Sequence, residues 1–271
     1  MNRNDFYRTK FFLLQIVILL SFVFVQGQSI ETKLVAKTEL NAEQFLGADE
    51  LGSLFFIQNQ VFYKKSQNRM FSFSNVDLGE ISQVDVTNPF KILLFYKDFN
   101  SVIILDNNLN ELSERIDLTQ ETLFNNVLFV SNSSANNIWL YADDNKLHLY
   151  NYQLLSEEVQ TQATTFYQSD FLALNLVSTF KNVWIQSEKE VLQFNEYGNF
   201  VQSYDLSGAE MIFPFQKGLV TYSNGIYKYQ TKDSSNSIVV NHSGEIKNIS
   251  LSGSSIFIYD GKTVFQYEMI P

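Results

Sequence analysis

Apolar and polar positions alternate along this chain in short blocks, and the blocks come in pairs. Leu54-Phe55-Phe56-Ile57 is followed, after a polar turn, by a second apolar run opening at Val61. The pairing recurs with first runs opening at Ile92, Ile138, Val183, Leu219 and Ile256, and second runs at Val102, Leu147, Val191, Ile226 and Val264. The turns between them are rich in Asn, Asp and Gly, as in Asp143-Asp144-Asn145, Asn224-Gly225 and Asp260-Gly261-Lys262. Those residues tolerate the positive-φ backbone of tight hairpins, so each pair predicts a hairpin of two short strands. A further strand precedes each hairpin, over Phe45-Leu46, 81–86, 127–130, 171–176, 211–215 and 246–251. Another follows most of them, over 70–73, 112–118, 154–159, 200–206 and 238–240. Phe200-Val201-Gln202-Ser203-Tyr204 alternates as a strand with one wet face does. Beyond the N-terminal stretch, no window of a dozen residues carries a helical stripe.

The unit of four strands repeats roughly every forty residues. The last unit stops one strand short of four, while residues 30–36 form a spare strand with no unit of their own. An isolated four-stranded sheet leaves its apolar faces wet, so the units must pack on one another in a closed series. The spare strand is then expected to complete the last unit. Trp139 and Trp184 fall at the same place in their units as Phe55, Leu93, Val220 and Phe257, which makes both tryptophans core residues. The arrangement resembles the six-bladed β-propellers over residues 28–271. The expected fold is therefore all-β, a six-bladed β-propeller with its last blade closed by the N-terminal strand. The Trp-Asp dipeptide and the Tyr-Trp-Thr-Asp repeats of particular propeller families are missing. The stretch Val84-Asp85-Val86-Thr87-Asn88-Pro89-Phe90-Lys91-Ile92-Leu93-Leu94-Phe95-Tyr96 resembles a signature of uncharacterised exported Bacteroidetes proteins. That resemblance implies a compartment and no activity.

The first 27 residues read as an address. Arg3, Arg8 and Lys10 precede an apolar run over 11–25 that only Gln15 and Ser21 interrupt, and Gly27 supplies a small residue at the cut. This is the layout of a secretory signal peptide. The run is shorter than the ~20 residues a helix needs to span a bilayer. Residues 1–27 are thus expected to be removed, leaving 28–271 as one domain, soluble and monomeric, in the periplasm or outside the cell.

Composition then narrows the chemistry. The 271 residues include no Cys and only two His, His148 and His242, which excludes disulfides, thiolate metal sites and Cys nucleophiles. A net charge of −10 and a pI near 4.7 argue against a nucleic-acid partner. No Gly-x-Ser-x-Gly elbow, Gly-x-Gly-x-x-Gly or phosphate loop occurs. His148 falls on the polar phase of a strand and His242 in a turn. Asp106-Asn107-Asn108-Leu109-Asn110 opens like a calcium loop but lacks its Gly and its closing Glu, and reads as a turn. Asn132, Asn241 and Asn248 match the glycosylation triplet and read as surface residues.

One constellation is collective. If the units are blades, their central hairpin turns emerge on one face and carry Asp98, Asp143, Asp144, Glu188 and Asp260 to one mouth. These five form the expected ligand or partner face. No catalytic residue is assigned and no cofactor is required, a divalent cation at the mouth being the one candidate. The function expected is a non-catalytic scaffold that binds a protein or a cell-envelope component. The alternative is a metal-dependent hydrolase or lyase using the acidic mouth.

Overall fold

The computed structural model describes residues 29–270, except 68, 122–125, 207–208, 210, 216–217 and 232–233; the leader expected over residues 1–27 lies outside the described residues. The chain opens with β1 (Ser29–Glu39) and then lays down four-stranded antiparallel sheets in series. The first holds β2 (Gln44–Ala48), β3 (Leu54–Gln58), β4 (Val61–Ser66) and β5 (Arg69–Phe73). The second holds β6 (Gln83–Asp85), β7 (Ile92–Tyr96), β8 (Ser101–Leu105) and β9 (Ile116–Asp117). The third holds β10 (Val127–Asn132), β11 (Asn137–Ala142), β12 (Leu147–Asn151) and β13 (Ser156–Gln160). The fourth holds β14 (Asn175–Ser178), β15 (Asn182–Gln186), β16 (Glu190–Asn195) and β17 (Phe200–Asp205). Next come β18 (Met211–Phe215), β19 (Gly218–Ser223), β20 (Ile226–Gln230) and β21 (Ser235–Val239), then β22 (Asn248–Ser252), β23 (Ser255–Tyr259) and β24 (Thr263–Ile270).

These last seven strands and β1 form one eight-stranded sheet, in the order β18-β19-β20-β21-β1-β24-β23-β22. Residues 31–39 of β1 run antiparallel to β24, with Thr38 opposite Val264, so the spare strand does join the last unit. Its first three residues, Ser29–Glu31, also pair in parallel with Ser237–Val239 of β21. That short parallel contact merges what the sequence presents as two separate units.

Apolar clusters fill the seams between successive sheets. Phe55, Phe62, Leu94 and Ile103 join the first sheet to the second. Leu93, Ile104, Leu140 and Tyr150 join the second to the third. Trp139, Leu149, Ile185 and Phe194 join the third to the fourth. Trp184, Val191 and Leu219 continue the series, and Val220, Tyr227, Ile256 and Tyr267 carry it across the eight-stranded sheet. Phe45, Phe56, Phe257 and Val264 bring the end back onto the beginning. The series is a closed ring, with β2, β6, β10, β14, β18 and β22 innermost. Trp139 and Trp184 are buried in successive seams, as their shared position requires.

Four local expectations need correcting. Asn132, read as a surface residue, is buried, with Nδ2 donating to Lys91 O at 2.9 Å. The strand expected over 112–118 shrinks to Ile116–Asp117, because Ser113, Glu114 and Arg115 loop away after a single bridge between Leu105 and Glu111. The strand expected over 171–176 starts only at Asn175, and Phe171 is buried in the preceding turn. His148 is fully buried rather than wet, since its phase of β12 faces the neighbouring sheet.

Candidate functional site

The ring presents two ends. At one end lie the turns that join the second and third strands of each unit, where the five acidic residues sit. Hydrogen bonds tie these turns to the starts of innermost strands: Val127 N–H donates to Asn100 Oδ1 at 3.1 Å, and Asp143 N–H to Asn126 O at 3.0 Å. Asp98, in the turn Lys97–Phe99, is exposed, as are Asp143 and Glu188. Asp144 and Asp260 serve their own turns. Asp260 Oδ1 accepts from the N–H groups of Lys262 (2.8 Å) and Thr263 (2.7 Å), and Asp144 Oδ1 from that of Lys146 (3.1 Å). Among the described residues no hydrogen bond or ion pair joins two of the five. Among those residues, no group of three or more His, Asp or Glu is arranged to hold a metal ion.

Asp144 instead reaches inward to the buried His148, with Nε2 at 3.1 Å, while Glu157 Oε1 lies 2.7 Å from Nδ1. The imidazole is held between two carboxylates. Near Asp260 a cavity of about 280 Å³ opens at the seam between the chain's end and beginning. Ala42, Glu43, Phe45, Lys247, Tyr259 and Gly261 line it. Its polar groups are engaged with the protein itself. Glu43 Oε2 accepts from Asn59 N–H at 2.8 Å, Lys247 pairs with Glu245, and the Tyr259 hydroxyl donates to Ala42 O at 3.0 Å.

Val76, Phe166 and Leu172 are also exposed at this end, on the loops that lead into β6 and β14. The other end carries the remaining hairpin turns. Leu51, Phe90, Leu154, Phe180 and Tyr197 stand at turn tips, each at least 68% exposed. The loops that hold Leu51 and Phe90 are fixed from below by buried charge. Asp49 Oδ1 accepts from Leu51 N–H (3.0 Å) and Ser53 N–H (2.8 Å), and Lys64 lies 3.7 Å from Asp49 Oδ2. The Lys64 ammonium crosses the seam to donate to Asn107 O at 3.2 Å. Lys91, next to Phe90, crosses the following seam and donates to three carbonyls, Ser133 O, Ala135 O and Asn137 O, at 2.7 to 2.9 Å. Burial pushes the Lys91 ammonium down to about 8, against the opposing pull of Asp85. Burial also lowers Lys64, opposed by Asp49.

Asp85 anchors a network along the innermost strands. Its Oδ2 accepts from Ser131 Oγ (2.7 Å) and Asn132 N–H (2.8 Å), and its Oδ1 from Thr87 N–H (2.9 Å). Ser131 and Ser178 hydroxyls lie 2.8 Å apart, so three successive sheets are joined at this level. Tyr197 and Leu154 are set by Asx turns: Asn195 Oδ1 accepts from Tyr197 N–H, and Asn151 Oδ1 from Leu154 N–H, both at 3.0 Å. Asp106 makes the same kind of turn with Asn108 and Asn110, which accounts for its resemblance to a calcium loop. Sequence reasoning missed both buried lysines. The only signal was a Lys on the inward phase of a strand or beside a Pro-Phe turn, because the carbonyls that receive it belong to the next unit.

No protein-family model and no curated protein sequence matches this chain. Its similarities are to solved structures. The WD40 domain of Neurospora crassa Pan2 has 11% identity and a TM-score of 0.54, covering 85% of this chain and 75% of that one. A streptogramin B lyase has 9% identity and a TM-score of 0.55, covering 87% and 98%. A chain of the mitotic checkpoint complex has 8% identity and a TM-score of 0.55, covering 92% and 99%. Likeness at such low identity speaks to the fold alone, and with the ring of radial sheets it makes this chain a β-propeller.

Proposed function

We propose that this protein is an exported, non-catalytic β-propeller that binds a protein or cell-envelope component through the end bearing the apolar tips. In this reading the eight-stranded sheet is two blades, β18–β21 and β22–β24 with β1, which gives six blades in all. The leader, residues 1–27, is removed on export. The observation that carries the reading is the exposure of Leu51, Phe90, Leu154, Phe180 and Tyr197 at turn tips of one end, four of them on loops held by Lys64, Lys91 and Asn/Asp turns. Apolar side chains held at turn tips leave water only when a partner covers them. Loops already ordered lose little further entropy on binding, so the surface is preorganised. The acidic end supports the reading less, since Asp144 and Asp260 are occupied by their own turns.

The test is site-specific photo-crosslinking in envelope extracts, with the crosslinker at Phe90, Phe180 or Asp143. A common adduct from Phe90 and Phe180, lost when Leu51 and Tyr197 are changed to Ser with the melting temperature unchanged, is expected. Adducts from Asp143 alone would overturn the choice of end. Calcium titration forms a second arm: binding that Asp143→Asn/Asp144→Asn abolishes would favour the metal-dependent alternative.

A further inference from the structure

Residues 161–174, between β13 and β14, form the longest connection between units, and connections of this length are usually functional. Both of its ends are stitched to acidic turns. Thr164 N–H donates to Asn145 O at 2.7 Å, against the turn of Asp143, and Leu174 N–H donates to Gln186 O at 2.7 Å, against the turn of Glu188. From beneath, the connection is pinned by the seam between the third and fourth sheets, where Phe171 is buried and Tyr167 stacks on Phe200 at 4.4 Å. Phe166, Leu172 and Leu174 take no part in that burial and are 75%, 73% and 53% exposed. An ordered segment therefore holds three large apolar residues in water, between the turns of two neighbouring units.

The border of this apolar patch is acidic. Asp143, Asp170 and Glu188 are exposed, and among the described residues no ion pair reaches any of them. Lys146 is engaged by Asp144 at 3.8 Å, and Lys189, between Glu188 and Glu190 in sequence, leaves the border net acidic. Glu190 stands directly opposite Asp205 in the ladder of β16 and β17, and like charges so placed destabilise a ladder. Its Oε1 is buried without a hydrogen-bond partner among the described residues. Burial, with Asp205 adding to it, raises the Glu190 carboxyl above its ordinary value. Exposed apolar side chains leave water only when covered, and carboxylates around them favour a cationic cover and repel an anionic one. We infer that the connection 161–174 and its two flanking turns dock a basic, apolar segment of a partner protein, with its large apolar residues on Leu172 and Leu174 and its Lys or Arg residues on Asp143, Asp170 and Glu188. This surface lies at the acidic end of the ring and is independent of the apolar tips at the other.

The test is fluorescence anisotropy of a labelled synthetic peptide of alternating Leu and Lys, titrated with the chain over residues 28–271. The peptide should bind more tightly than a control with Ser in place of Leu and a control with Glu in place of Lys. Leu172→Ser/Leu174→Ser should weaken binding by roughly tenfold or more, with an unchanged melting temperature because both side chains are already exposed. Asp170→Asn/Glu188→Gln should weaken it by roughly threefold at low salt and flatten its salt dependence. Leu51→Ser/Tyr197→Ser, at the other end, should change nothing, so failure here is separate from failure of the apolar tips. Equal binding by the Leu172→Ser/Leu174→Ser variant, or by the Ser–Lys peptide, would mean diffuse charge attraction only and overturns the inference. So does a wild type that does not bind, a salt dependence that Asp170→Asn/Glu188→Gln leaves unaltered, or a loss caused by Leu51→Ser/Tyr197→Ser.

Discussion

Replacing Asp85 with Ala should be among the most damaging single changes in this protein. The carboxylate is buried and accepts from Thr87 N–H, Thr87 Oγ1, Ser131 Oγ and Asn132 N–H, in a seam where Lys91 is the compensating cation. Asn132 N–H and the Ser131 hydroxyl are buried and would lose their acceptor, at about 1–3 kcal/mol each. Lys91 would keep its three carbonyls and lose the more distant attraction of Asp85. The groups form one network, so these figures overlap rather than add. The expected loss is about 2–4 kcal/mol for Asp85→Ala, with Asp85→Asn less damaging because it keeps an acceptor oxygen. Adding Lys91→Met to Asp85→Ala should cost clearly less than the sum of the two single changes. Urea unfolding with a common m-value measures all of this. A loss below about 1 kcal/mol for Asp85→Ala, or strict additivity in the double variant, would refute the coupling of loop and core through this carboxylate.

Lys91 also sets a pH dependence. Its folded value of about 8 lies below the ordinary 10.5, so the unfolded chain binds more protons between those values and stability rises with pH there. The slope from this group approaches about 1.4 kcal/mol per pH unit, and Lys91→Met should remove it from melts at pH 8 to 10; equal slopes in both proteins would contradict the burial argument. Trp139→Ala and Trp184→Ala should each cost about 3–5 kcal/mol in urea melts, since both rings fill seams between sheets; a functional platform would tolerate the change. Deleting residues 30–38 removes the strand that pairs with β24 and reaches β21, and should abolish solubility or the cooperative melt. An unchanged melt would mean that the ring closes without β1.

Much of the architecture was written in the local pattern. The paired apolar runs around Asn/Asp/Gly turns specified the central hairpins, because strand period and turn chemistry act over a few residues. The common position of Trp139 and Trp184 placed both in seams, and the count of strands assigned β1 to the chain's end. Other features depended on residues far away in sequence. His148 occupies a polar phase that happens to face a neighbouring sheet, and its two carboxylates come from a turn and from the next strand. Lys64 and Lys91 read as ordinary surface lysines until the loops of following units supply their carbonyls more than forty positions on. The acidic turns were visible as residues, but whether their side chains serve the turn or face solvent is settled by hydrogen bonds that composition does not encode. Local chemistry decides what each segment of this chain becomes. The packing of one sheet on the next decides which of its charges are buried and which of its apolar residues are left at the tips.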